Sequence, residues 1–150
     1  ALDPATRGPR VDMALRTDRA GVFAAGNVVH PVDTADVAAL GGAHVAGAVL
    51  AHLHGATPPG GEVRIVAEAP LRWVAPSVLR PGDPAPSRGN LSLWTDELRH
   101  RPVVEARQDG RVVGRVRTAW PAAPGRVFRV PFGVLAHARP GRGDVTVTLA

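Results

Sequence analysis

Hydrophobic positions along this chain of 150 residues change their period partway. In the first third, Val37, Leu40, His44, Val45, Ala48, Val49 and His52 recur at near-helical spacing. They predict a helix, capped by Asp33 or Thr34, that runs to about Leu53. Before it, residues 10–15 read as a short strand and residues 16–20 as a polar turn. Val22-Phe23-Ala24-Ala25 is apolar on both faces, as in a buried parallel strand. An irregular loop, 28–32, follows; Pro31 keeps His30 from helical backbone. Small residues crowd the helix, with Gly41 and Gly42 adjacent. Since each Gly costs a helix about 1 kcal/mol relative to Ala, the pair suggests a close neighbour.

The pattern breaks at residues 55–61, where Gly and Pro cluster as at a boundary. Beyond it the period shortens towards two. Strands are predicted over 63–67, 71–74, 90–94, 103–108, 112–117, 127–130 and 145–149. Asp109-Gly110, between two alternating runs, predicts a tight hairpin. The expected fold class is α+β. It comprises a C-terminal strand-helix remnant of a dinucleotide-binding α/β domain over 1–55, then a small antiparallel β-sandwich over 62–150.

Composition changes this picture only modestly. The formal charge is +5, but every basic residue is Arg and the arginines are interleaved with Asp and Glu. No basic helix or aromatic platform accompanies them, so nucleic acid is not the expected partner. Without Cys the chain can form neither a disulfide nor a redox pair. No apolar run is read as reaching the roughly 20 residues that cross a bilayer, so no membrane partner is expected. The cytoplasm is the default location. The opening Ala1-Leu2-Asp3-Pro4 reads as part of a longer frame.

The stretch with most chemical content is Thr17 to Asn27. A short apolar strand ends there at a Gly-polar pair, with a helix start close behind. That arrangement suits a polar cofactor, because a helix N-terminus carries unpaired N–H groups and partial positive charge. The stretch resembles the last flavin-contacting segment of the pyridine nucleotide-disulfide oxidoreductase family, which includes the thioredoxin reductases. Thr17, Gly21, Val22, Phe23, Ala24 and Gly26 match the family pattern, and Asn27 stands where the family has Asp. The likeness spans roughly Leu2 to Leu53.

This resemblance implies an FAD cofactor, with NAD(P)H as electron donor. Gly26 and Asn27 would meet the ribityl group. Thr34, Ala35 and Asp36 would form the helix start at the flavin pyrimidine end, where the family carries an Arg-Gln pair. Asn can accept from and donate to a hydroxyl, but it has no charge. The family's Gly-x-Gly-x-x-Gly fingerprint is absent, as are its NAD(P)-binding half and Cys pair. The chain alone is therefore expected to be inactive. The remaining walls would come from missing N-terminal FAD/NAD(P)-binding regions or from a partner flavoprotein subunit.

Two other readings stand beside this one. One is a non-catalytic β-sandwich module that docks on a partner flavoprotein. The other is a carbohydrate- or peptide-binding sandwich, which exposed Trp73, Trp94 or Trp120 would favour. His30 could lie near a flavin, though a polar loop role explains it more simply. His44 and His52 lie two helical turns apart, too far for one metal. Asp33 and Asp36 read as capping residues. Ser77, Ser87 and Ser92 lack a nucleophile motif, and Arg99-His100-Arg101 reads as a solvated turn.

Overall fold

A computed structural model describes residues 1–31, 33–58 and 60–150. Val32, in the predicted loop, and Pro59, in the predicted boundary, lie outside the described residues. The chain is α+β, with one long helix and two sheets. Strands β1 (Val63–Ala67), β3 (Val78–Leu79), β5 (Val103–Gln108), β6 (Arg111–Arg117) and β8 (Val145–Leu149) form one sheet, ordered β3-β1-β8-β5-β6. The other sheet has the order β2-β4-β7, from β2 (Leu71–Ala75), β4 (Asn90–Thr95) and β7 (Phe128–Pro131). Among the described strand pairings only β1–β8 is parallel, alongside an isolated parallel bridge between Asp12 and Val78.

Period-two patterning explains the strands. Along β4, Leu91, Leu93 and Thr95 are buried while Asn90, Ser92 and Trp94 are less so. One hydrophobic cluster draws Val63 and Ile65 from the first sheet together with Leu91, Leu93 and Phe128 from the second. At the hairpin, Asp109 and Gly110 both have positive φ, 50° and 76°, the type I′ geometry that matches strand twist. Gly114 of β6 is required by contact: a Cβ there would sit 1.9 Å from the Val134 carbonyl oxygen. The two-residue β3 is too short to leave a periodic signal.

The N-terminal segment differs from expectation. Among the described residues it forms only isolated bridges, including Asp12 with Val78 and Arg16 with Phe23. No residue from Val22 to Ala25 is buried, and Val22 is 45% exposed. Among the described residues the apolar run is paired on one side, by a hairpin in which Thr17 N–H donates to Val22 O and Ala24 N–H to Leu15 O. The helix α1 (Ala35–Leu53) is present as predicted, yet none of its residues is buried. Its 19 residues, with mean hydropathy 1.3, reach the length and apolarity of a membrane span, which the sequence reading did not expect of any run.

A buried ionic clamp joins the N-terminal segment to the sheets. Val11 O accepts from the Ser77 and Val78 amides. The Asp12 carboxylate, 1% exposed, accepts from the Ala14 and Arg16 amides, from Arg16 Nε at 2.7 Å and from Arg80 Nε at 3.1 Å. Arg16 also pairs with Asp83, and Arg80 with Glu62. A buried carboxylate is tolerated only when its lone pairs are met, and removing one partner of such a pair costs roughly 3–5 kcal/mol.

Burial and the neighbouring Asp12 carboxylate push the Asp83 carboxyl above its usual value of 3.8. The folded chain therefore holds this proton where the unfolded chain has released it. The resulting contribution to stability is complete below 3.8 and is lost as pH rises through the raised folded value. Asp83→Asn should accordingly flatten the fall in urea midpoint from acidic to neutral pH. An unchanged slope would assign that fall to other groups.

Candidate functional site

Gly26 opens the predicted site with φ +71°, in the left-handed region that suits glycine. A short 3-10 turn covers Gly26–Val28, closed by Val29 N–H donating to Gly26 O at 2.9 Å. The turn lies tight against α1. A Cβ on Gly26 would stand 3.5 Å from Ala38 Cβ, and one on Gly41 would stand 3.6 Å from Gly26 N. A Cβ at Gly41 would make only ordinary contact with the turn and one at Gly42 would meet nothing within 4 Å, so the close neighbour expected of the Gly41-Gly42 pair is not one that demands glycine.

Asn27 is exposed, but its side chain is half engaged. Its Oδ1 accepts from the Asp33 amide at 2.8 Å, which ties the Gly26–Val28 turn to the residue just before the helix N-cap. The Nδ2 group remains as the donor. Thr34 is the N-cap residue, with extended backbone and no side-chain cap bond, so the first-turn amides lack a capping side chain. Thr34, Ala35 and Asp36 are all exposed. The Thr34 hydroxyl beside it holds the Asp36 carboxyl below the usual range, assisted by nearby backbone amides and by the charge of Arg88. The structure therefore brings all five sequence-predicted residues, Gly26, Asn27, Thr34, Ala35 and Asp36, to one end of α1.

Two further features were not foreseen. Arg88, in the 3-10 turn Ser87–Gly89, stands near the helix start from the sheet-forming half of the chain, with φ +59°. A cavity of about 60 Å³ separates that half from the helix start, lined by Gly26, His30, Asp33, Ser87, Asn90 and Ser92. It has room for a water molecule or two and none for a three-ring system. Any flavin contact at these residues is therefore made on the open surface beside the cavity. Neither leaves a local sequence signal, because each depends on distant segments meeting.

His30 turns inward. It is 8% exposed and stacks on Trp73 at 4.7 Å, with Trp94 beyond at 6.1 Å from Trp73. Its Nε2 lies 3.5 Å from Asp33 Oδ2, and the other carboxylate oxygen of Asp33 is buried without a hydrogen-bond partner among the described residues. His30 and Trp73 thus pack the interior of the loop. His44 Nε2 lies 2.8 Å from Met13 O, and His52 meets Phe23 edge-on, so the two serve different contacts.

A second cavity, about 630 Å³, lies along the C-terminal half of α1. The Arg16–Phe23 hairpin forms its other wall, and Arg19, Phe23, Gly47, Ala51 and His52 are among its lining residues. That volume is within the range of small-molecule and docking sites.

Gly26→Ala should destabilise the fold by about 1–2 kcal/mol, the cost of left-handed backbone at a residue with a Cβ. Urea denaturation checks this. No loss would mean that the turn relaxes out of the left-handed region. No family model, curated protein or solved structure matches the chain.

Proposed function

We propose that this chain supplies the ribityl-side wall of the flavin site in an FAD-dependent oxidoreductase that transfers hydride between NAD(P)H and flavin. The observation that carries the reading is the pairing of the Gly26-Asn27 turn with an open helix start, held together by the Gly26–Gly41 approach. Asn27 Nδ2 is available to donate to a ribityl hydroxyl. The Thr34 and Ala35 amides, which the Asp36 carboxylate does not engage, are available to donate to a ring carbonyl oxygen. When bound, the flavin supplies the hydride chemistry, and these residues hold and orient it. Adenine and pyrophosphate have no assigned receptor in the chain, so the remaining walls belong to N-terminal FAD/NAD(P)-binding regions or to a partner flavoprotein subunit. On this reading the two sheets form an appended sandwich.

Arg88 enters this site as a cation close to the helix start. Its charge offsets Asp36 and would favour the electron-rich reduced ring. Arg88→Ala in the assembled flavoprotein should lower the flavin midpoint potential, and an unchanged potential would remove Arg88 from the site.

The direct test is assembly. Producing the chain together with the frame that precedes Ala1 should give a yellow protein that retains FAD. Asn27→Leu in that protein should weaken flavin retention on gel filtration, as should breaking the Gly26–Gly41 approach with Gly41→Val. A colourless assembly, or retention unaffected by both changes, would refute the reading. The alternative is a non-catalytic module that docks on a flavoprotein. It is favoured by the small volume of the 60 Å³ cavity, and it predicts retention that ignores Asn27.

A further inference from the structure

The small cavity beside the start of α1 has a charged wall without a full counterpart. Asp33 lines it, and its side chain is only 6% exposed. Its Oδ1 is buried and has no hydrogen-bond partner among the described residues. Its Oδ2 lies 3.5 Å from His30 Nε2, beyond an ordinary hydrogen bond. His30 Nδ1 lies 3.2 Å from Pro31 O. A neutral imidazole has one N–H, so a ring that donates to Pro31 turns a bare nitrogen towards the carboxylate. A buried carboxylate in that state is strongly unfavourable unless a counter-charge reaches it.

The other walls say which counter-charge fits. Ser87, Asn90 and Ser92, from the sheet-forming half, line the same space. Asn90 Nδ2 donates to Arg88 O at 2.6 Å, which leaves Asn90 Oδ1 as an acceptor. Together with the two hydroxyls and the carboxylate, it makes a set of oxygens, the donor type that hard cations take. Asp33 is the one acidic residue in the lining. Among the described residues no group of three or more His, Cys, Asp or Glu could hold a metal, which argues against a divalent or transition metal. A volume of about 60 Å³ admits a small ion with a water and excludes a bulky organic cation. Arg88 adjoins Ser87 in sequence but is not among the lining residues, and its charge acts on Asp36. The Asp36 carboxylate also meets the partial positive charge of the helix start.

We propose that this cavity binds a small monovalent cation, an alkali ion or ammonium, through the Asp33 carboxylate and the oxygens of Ser87, Asn90 and Ser92. One charge balances one charge, and neutral oxygens complete the coordination. The ion would join the loop before α1, which carries Asp33, to β4 and the turn that precedes it, which carry the other three. The site goes beyond the flavin reading and does not depend on it.

The test uses the full chain without flavin. Urea unfolding is followed in potassium, sodium and ammonium chloride, and in tetramethylammonium chloride, whose cation is too bulky for the cavity. All four are compared at one ionic strength, so that screening is equal. At least one small cation should raise the folded-to-unfolded ratio saturably over tetramethylammonium, by about tenfold at roughly ten times its dissociation constant. The salt that does so identifies the ion. Asp33→Asn removes the charge and should abolish this difference between salts. Ser92→Ala keeps the charge, removes one oxygen and should shrink the difference. Equal stability in all four salts overturns the proposal and leaves the cavity to water. A difference that Asp33→Asn leaves unchanged also overturns it, because the ion then binds elsewhere. Should that variant fail to fold, a difference unchanged in Ser92→Ala overturns it in the same way. No flavin enters these measurements, so failure here is distinguishable from failure of the flavin reading.

Discussion

The buried Asp12 carboxylate organises this molecule. It gathers two arginines and two amides, and one of those arginines, Arg80, comes from beyond β3. A lone carboxylate in that position would be strongly unfavourable, so the N-terminal segment and the sheets must meet in one register for its charge to be balanced. Val11 and Leu15, on either side of Asp12, then pack with Trp73 and Ala75. The Gly26 turn reaches the sheet-forming half through this arrangement. Arg88 and the helix start become neighbours only because the clamp and the packing around it fix the relative position of their segments.

The same arrangement gives the two ends of α1 different surfaces. At the N-terminal end of α1, open amides and Asn27 form a donor-rich edge beside a small cavity. Along its C-terminal half, the helix and the Phe23 strand offer apolar surface and unpaired backbone. Both kinds of surface lie along one helix.

Much of the fold was legible from local patterning. The α1 periodicity, the alternating strands and the Asp109-Gly110 hairpin each follow from rules that operate over a few residues. The Gly26-Asn27 turn was legible because a left-handed residue before a helix favours Gly, and its proximity to Thr34, Ala35 and Asp36 follows from short chain separation. The sequence reading took the 22–25 run as buried because both of its faces are apolar. Composition records what a segment requires, and the chain itself provides a neighbour on only one side.

Read alone, then, the sequence determined the long helix, most strands beyond residue 62, where the chain turns, and which residues could present donors to a cofactor; the strands it suggested at 10–15 and 22–25 are only isolated bridges. Only the tertiary structure decided that Asn27 spends its carbonyl oxygen on Asp33, that His30 faces Trp73, and that Arg88 stands by the helix start. It also decided that an apolar strand is left with an open edge. The physical reason is range: period, turn chemistry and capping act between near neighbours, whereas a buried charge, an aromatic stack or an uncovered edge depends on residues that meet only after the chain has folded.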